Sequence, residues 1–166
     1  MAESVPSPAP LASDASGTGV RAPAPAIFAA AFALGLLLDL AAPLDPAAAL
    51  DKRLLMGVPF VAAGLGLALW AASTMRAAGT TLDPRGTATK LVTAGPYARS
   101  RNPIYLGFAL FYGGVAVILP SLWALLLLPL AILAVRHAVI APEERHLERA
   151  FGGAWLDYAR RVRRWM

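Results

Sequence analysis

The stretch PIYLGFALFYGGVAVILPSLWALLLLPLAILAVRHAVIA, residues 103–141, decides the fold. Apart from Arg136 and His137 it carries no charged or imidazole side chain. It is too long for one membrane-crossing helix of about 20 residues, and Leu119-Pro120-Ser121 divides it into two halves. The sequence therefore predicts a helical hairpin with spans at about 103–119 and 121–141, whose two ends lie on one side of a membrane.

Two further apolar stretches precede this hairpin, at about 26–44 and 54–75. The whole chain of 166 residues is 58% hydrophobic and 15% charged, whereas soluble domains are about 45–50% apolar and about 25% charged. This composition excludes an ordinary soluble domain. We expect an all-α integral membrane protein with four transmembrane helices.

The segments outside the spans differ in character. Residues 1–24 are rich in Pro, Ala and Ser, which predicts a disordered tail before a membrane domain at 25–166. Residues 76–102 form the longest polar segment between spans. Residues 142–166 repeat apolar side chains every three or four positions, which predicts an amphipathic helix at the membrane surface, with a break at Gly152-Gly153.

The charges are unevenly placed along the chain. Its net charge is +5, and segments 76–102 and 142–166 carry eleven of the fifteen Lys and Arg residues. Because basic residues favour the cytoplasmic side of short loops, both termini are predicted to be cytoplasmic. Membrane topology and anionic headgroups explain these charges, so no nucleic-acid partner is expected.

Several kinds of chemistry are excluded by residue type and spacing. The chain has no cysteine, hence no disulfide, no thiolate metal site and no cysteine nucleophile. His137 and His146 are nine positions apart, which does not place two ligands on one helix face, so no metal site is expected. Walker, GxGxxG, GxSxG and HExxH motifs are absent from the sequence.

Polar residues instead bracket the hairpin. Arg101 precedes its first helix, and Glu143 and Glu144 follow its second. Because charges at a membrane boundary require partners, we expect these residues to meet, either as a salt bridge that closes the hairpin or as a ligand site. Tyr112, deep in the third span, is interpreted as a belt residue at the membrane interface.

Three strings resemble a known family. They are GPYxxxRNPxYxG at 95–107, the pair Glu143-Glu144, and FGxxWxxYxxRV at 151–162, and Gly79-Thr80 followed by Pro84 also fits. In this order they resemble the integral-membrane methyltransferases, which include the isoprenylcysteine carboxyl methyltransferases and the phospholipid N-methyltransferases. The resemblance covers about residues 76–166. Asn102 stands where many members have histidine, as it does in some bacterial members.

The resemblance implies S-adenosylmethionine as cofactor, held between the last two spans and the C-terminal segment. Backbone groups near the Gly95-Pro96 turn would bind the adenosine, Asn102 would offer a donor and acceptors, and the glutamates would bind the ammonium or ribose hydroxyls. Aromatic faces would attract the sulfonium. The implied cofactor-binding residues are Leu91, Val92, Gly95, Pro96, Tyr97, Asn102, Pro103, Tyr105, Glu143, Glu144 and Tyr158.

The catalytic candidates are Arg101 and Glu144. The leading hypothesis is O-methylation of a lipophilic, isoprenylcysteine-like carboxylate, which Arg101 would orient. Phospholipid amine N-methylation is the nearest alternative, in which Glu144 would accept a proton or bind ammonium. A non-catalytic membrane protein and a sterol-reductase-like enzyme are further alternatives. The expected location is a membrane, the inner membrane for a bacterial protein, with the site facing the cytoplasm. The sequence leaves the oligomeric state open.

Overall fold

The computed structural model describes residues 23–44, 49–79 and 90–166, and all regular structure within them is helical. The tail predicted at 1–24 lies almost wholly outside these ranges. The elements are helix α1 (Ala24–Ala41), helix α2 (Leu50–Ala77), a 3₁₀ turn (Gly95–Ala98), helix α3 (Pro103–Ile118), helix α4 (Leu122–Val135), a π turn (Arg136–Ile140), helix α5 (Ala141–Phe151) and helix α6 (Gly153–Arg161).

Three helices of the described chain are long and apolar enough to cross a membrane. They are α1, α2 and the continuous helix Leu122–Phe151, in which the π turn joins α4 to α5. Helix α3 is apolar but has 16 residues. At 1.5 Å per residue it is about 24 Å long, somewhat shorter than a hydrocarbon core of ~30 Å.

The last apolar helix continues further than the sequence indicated. A surface helix starting at 142 was predicted, but α5 extends α4 as far as Phe151 without interruption. Pro142 is tolerated because it lies just after the π turn, where the hydrogen-bond ladder changes register. The helix ends at Gly152, whose φ of +52° suits glycine, so the chain reverses at the predicted break and continues as α6. Residues 142–166 therefore form the end of this long helix, the short helix α6 and an extended end, and apart from Arg136 and His137 the charged residues follow the apolar stretch that ends at Ala141.

Helices α2 and α3 pack through glycine. A Cβ atom added at Gly64 would lie 2.5 Å from the backbone nitrogen of Phe111 and 2.6 Å from the carbonyl oxygen of Gly107. Gly57 approaches the carbonyl of Gly114 in the same way, one heptad earlier in α2. This close contact of small residues holds α2 against the hairpin.

Helix α1 covers the other face of the hairpin and encloses the aromatic core. Phe28 and Phe32 pack against Tyr112, with ring centroids 6.1 and 5.0 Å apart. Tyr112 is 4% exposed, and its hydroxyl donates a 3.0 Å hydrogen bond to the carbonyl of Ala124. The interpretation of Tyr112 as an interfacial residue is wrong, because its ring is buried in the core. Its hydroxyl finds a hydrogen-bond acceptor in a backbone carbonyl there and does not need the membrane surface.

The predicted hairpin turn is confirmed. Helix α3 ends at Ile118 and α4 begins at Leu122. The side chain of Ser121 accepts a 3.1 Å hydrogen bond from the amide of Ala124, which caps α4. The turn brings the start of α3 beside the junction of α4 and α5, where the charged residues lie.

Candidate functional site

The Gly95-Pro96 turn forms one wall of the site. Gly95 has a φ of +59°, and a Cβ atom there would lie 3.1 Å from the hydroxyl oxygen of Thr74 in α2. The turn buries Pro96 and Tyr97. The hydroxyl of Tyr158 in α6 donates a 2.7 Å hydrogen bond to the carbonyl of Tyr97, so the turn and α6 are directly joined.

A carboxylate with two arginine partners lies at the centre. Arg101 approaches Glu144, with 3.1 Å between Nη1 and Oε1, and Arg164 donates to both oxygens of Glu144, through Nε at 3.0 Å and through Nη2. The side chains of Arg101 and Glu144 are 16% and 13% exposed. Arg101 thus meets Glu144, as expected, whereas the hydrogen-bond partner of Glu143 is Tyr105. The hydrogen bond that Arg164 donates to Glu144 raises the pKa of the Arg164 guanidinium above its usual range.

The neighbouring glutamate has different surroundings. Oε2 of Glu143 accepts a 3.0 Å hydrogen bond from the hydroxyl of Tyr105. Removal from solvent, with a smaller contribution from the charge of Glu144, raises the pKa of Glu143 to about 7 against the opposing effect of the Tyr105 hydrogen bond. Glu144 is thus engaged by cations, whereas Glu143 is a carboxyl group able to exchange a proton near neutral pH.

The extended C-terminal end lies along the turn before α3. The backbone N–H of Arg101 donates to the carbonyl of Arg163 at 3.0 Å. Nδ2 of Asn102 and the hydroxyl of Ser100 both donate to the carbonyl of Arg164, at 3.0 and 3.3 Å. Asn102, the residue before α3, therefore does not cap that helix with its side chain.

Aromatic rings cover the site on the α6 side. The guanidinium carbon of Arg101 lies 5.8 Å from the ring centroid of Trp155, within the range of a cation–π contact. Trp155 packs at 5.7 Å against Tyr158. Burial raises the pKa of Tyr158 to about 12 and raises that of Tyr97 further. Both phenols are protonated at neutral pH and act as hydrogen-bond donors or apolar walls.

Most of the predicted site residues converge at this end of the bundle. Those that do are Pro96, Tyr97, Arg101, Asn102, Pro103, Tyr105, Glu143, Glu144 and Tyr158, and Gly95 supplies the turn. Leu91 and Val92 lie half-buried in the preceding segment and join none of the described hydrogen bonds of the site. Thr80 and Pro84 of the upstream string fall outside the described residues.

Three residues of the site were not predicted as site residues, Ser100, Trp155 and Arg164, although Trp155 stands in the string at 151–162. Arg164 follows Glu144 by 20 residues and belongs to a cluster of basic residues. In the sequence, such a cluster indicates contact with lipid headgroups and gives no sign of a partner within the chain. The signal available was the pair of glycines at 152–153, because a chain reversal there returns the end of the chain to the glutamates. Among the described residues, no group of three or more His, Asp or Glu side chains is arranged to hold a metal ion.

Comparison with known proteins shows the family to which the chain belongs. No curated protein and no solved structure matches the chain significantly. The family model of the phospholipid methyltransferases (PEMT) matches residues 52–154, well over half of the chain, and this match includes Arg101, Asn102 and both glutamates. The chain belongs to the phospholipid methyltransferase family.

Proposed function

We propose that this chain is an S-adenosylmethionine-dependent methyltransferase of the membrane, acting on a lipophilic amine that reaches the site from the bilayer. The observation that carries the proposal is the pairing of Glu143 with Tyr105 beside the Glu144–Arg101 ion pair, in a chain of a methyltransferase family. These groups lie at one end of the apolar helices, where a membrane-dissolved acceptor and a water-soluble cofactor would meet.

Four spans with a cytoplasmic site fit the arrangement. Helix α3 shares the hairpin with the long helix Leu122–Phe151, and its 16 residues would form the fourth span. The basic residues Arg101, Arg163 and Arg164 lie at the end that holds Glu144, and the positive-inside rule applied to segments 76–102 and 142–166 favours the cytoplasm for that end. Helix α6 would lie at that surface, with its basic side chains near the headgroups.

The donor set fits S-adenosylmethionine. Glu144 and Glu143 are acceptors for an ammonium group or ribose hydroxyls, Asn102 offers an amide, and Tyr97 and Tyr158 offer aromatic walls. When bound, the cofactor supplies a methyl group on a positively charged sulfur that leaves as a neutral thioether. The residues around it would act by positioning and by excluding water.

The acceptor chemistry follows from the two glutamates. A protonated amine has no free electron pair and must lose a proton before its nitrogen can be methylated. Glu143, with a pKa of about 7, is suited to receive that proton, and Tyr105 would hold the carboxylate in place. Methyl transfer to a carboxylate releases no proton, so Glu143 would have no proton to receive.

A lipophilic carboxylate is the second candidate, because of Arg101. Its Nε is buried and has no hydrogen-bond partner among the described residues. Its Nη1 is already bound to Glu144. A bidentate contact between Arg101 and a substrate carboxylate would therefore have to use the guanidinium N–H groups that Glu144 leaves free.

Calorimetric titration of the detergent-purified protein with S-adenosylhomocysteine tests the cofactor assignment. We expect a saturable binding heat, and a folded sample without one would overturn the proposal in favour of a non-catalytic membrane protein. Radiolabelled methyl incorporation into a lipid extract tests the acceptor. N-methyl products survive mild base, whereas methyl esters release methanol, so base-labile label would identify the carboxylate.

A further inference from the structure

The end of the chain occupies groups that the proposed cofactor requires. Residues 162–166, here called the C-terminal clasp, leave α6 at Val162 in an extended conformation with φ −116° and ψ 127°. Their contacts with the amide of Arg101, the side chain of Asn102 and the carboxylate of Glu144 come from Arg163 and Arg164 alone. All three partners belong to the predicted cofactor or catalytic set.

The contacts resemble those of a bound ligand in chemistry. The guanidinium of Arg164 places a cation on Glu144, as a ligand ammonium would, and its carbonyl accepts from Nδ2 of Asn102, as a ligand oxygen would. The hydroxyl of Ser100 donates to the same carbonyl at 3.3 Å. Trp165 then packs, partly buried, against the hydrophobic core. One short segment thereby satisfies several polar groups at once.

We propose that the C-terminal clasp is an internal competitor for the cofactor, which covers Asn102 and Glu144 in the resting protein and moves away when the cofactor binds. This inference rests on the proposed function. Glu144 keeps Arg101 as a partner when Arg164 leaves, so the site stays charge-balanced during the exchange. The side chain of Arg164 is 30% exposed and that of Arg101 is 16% exposed, which makes Arg164 the easier partner to release.

A competing segment lowers the apparent affinity in proportion to the fraction of molecules that it closes. If the clasp is closed in about nine-tenths of the molecules, the apparent Kd is about tenfold weaker than that of the open site. Arg164→Ala removes both side-chain contacts to Glu144 and should favour the open state. We expect it to tighten the binding of S-adenosylhomocysteine about tenfold, equivalent to ~1.4 kcal/mol.

Arg160→Ala is the matched control for loss of one positive charge. Arg160 lies in the same basic cluster, but it is highly exposed, and its side chain pairs, among the described residues, only with Asp157 of α6. It should leave the affinity for S-adenosylhomocysteine unchanged. Thermal unfolding of each variant in detergent shows whether the bundle is intact.

A second measurement uses a chain that keeps Arg164. Because the sequence has no cysteine, Asp51→Cys with Met166→Cys gives two unique sites for spin labels, one at the far end of α2 and one in the clasp. Addition of S-adenosylhomocysteine should shift or broaden the distance distribution between them. This readout does not depend on whether the Arg164 variant folds.

The outcomes separate the two proposals. Binding to the unaltered chain with an unchanged distance distribution overturns the clasp and leaves the methyltransferase proposal standing. Equal or weaker affinity in a folded Arg164→Ala variant also overturns it, because the clasp would then belong to the binding site. Lack of binding by both the unaltered chain and the variant overturns the cofactor assignment itself.

Discussion

Replacement of Glu144 by glutamine tests whether the arginine–glutamate network holds the end of the bundle together. The change keeps the size of the side chain but leaves Arg101 and Arg164 facing a neutral amide. A hydrogen bond to a charged group contributes about 1.5–3 kcal/mol, and removal of one partner from a buried pair costs about 3–5 kcal/mol. Since Arg101 and Glu144 are 16% and 13% exposed and Arg164 is 30% exposed, we expect a loss of about 2–3 kcal/mol.

A double-mutant cycle isolates the direct interaction. The variants Glu144→Gln, Arg101→Gln and their combination should give a coupling free energy of about 1–2 kcal/mol in reversible detergent–SDS unfolding followed by circular dichroism. The pair Asp157–Arg160 is the control, since its side chains are 68% and 78% exposed and its coupling should not exceed about 0.5 kcal/mol. Equal coupling in the two cycles would show that the Arg101–Glu144 contact is energetically a surface ion pair.

Further predictions concern proton transfer, helix packing and the turn. With an amine acceptor, the rate of methyl transfer should rise as the pH passes about 7, because ionised Glu143 receives the proton, and Glu143→Gln should abolish that rise. A pH profile that stays the same in the Gln variant would contradict this role. Because burial raises the pKa of Glu143 from 4.5 to about 7, ionisation of this carboxyl costs folding free energy, and the stability of the fold should fall as the pH rises from about 4.5 to about 7. Gly64→Ala should cost about 1–3 kcal/mol in the same unfolding assay because its Cβ meets backbone atoms, whereas Gly66→Ala, which meets nothing within 4 Å, should cost nothing measurable. Tyr158→Phe should cost about 1–2 kcal/mol, because it leaves the buried carbonyl of Tyr97 without its donor. An unchanged unfolding midpoint would show that water replaces the phenol.

The hairpin and the meeting of its charged ends could be predicted from the sequence. A long apolar run with Pro120 at its middle leaves few alternatives to a turn there, and a hairpin returns Glu143 and Glu144 to Arg101. The length of the apolar run is therefore enough to predict that these glutamates and Arg101 lie at the same end of the hairpin.

Other features depend on information that apolar periodicity does not contain. The continuation of α4 into α5 rests on a π turn, which has no marked sequence signal. The role of Arg164 depends on the reversal at Gly152 and on the direction that α6 then takes. The burial of Tyr112 depends on where α1 packs, and spacing along α3 does not show this.

The π turn also sets the angle at which the two glutamates face the bundle. One extra residue in a helix rotates everything after it by about 100° relative to a regular α-helix. The turn at Arg136–Ile140 therefore determines in which direction around the helix axis the side chains of α5 point, and the pattern of apolar residues in α4 does not. Deletion of Ala138, Val139 or Ile140 would keep every charged side chain in the chain while pointing Glu143 away from Tyr105 and Glu144 away from Arg101. The chemistry of this end of the protein depends on the helical phase as much as on the residues that carry it.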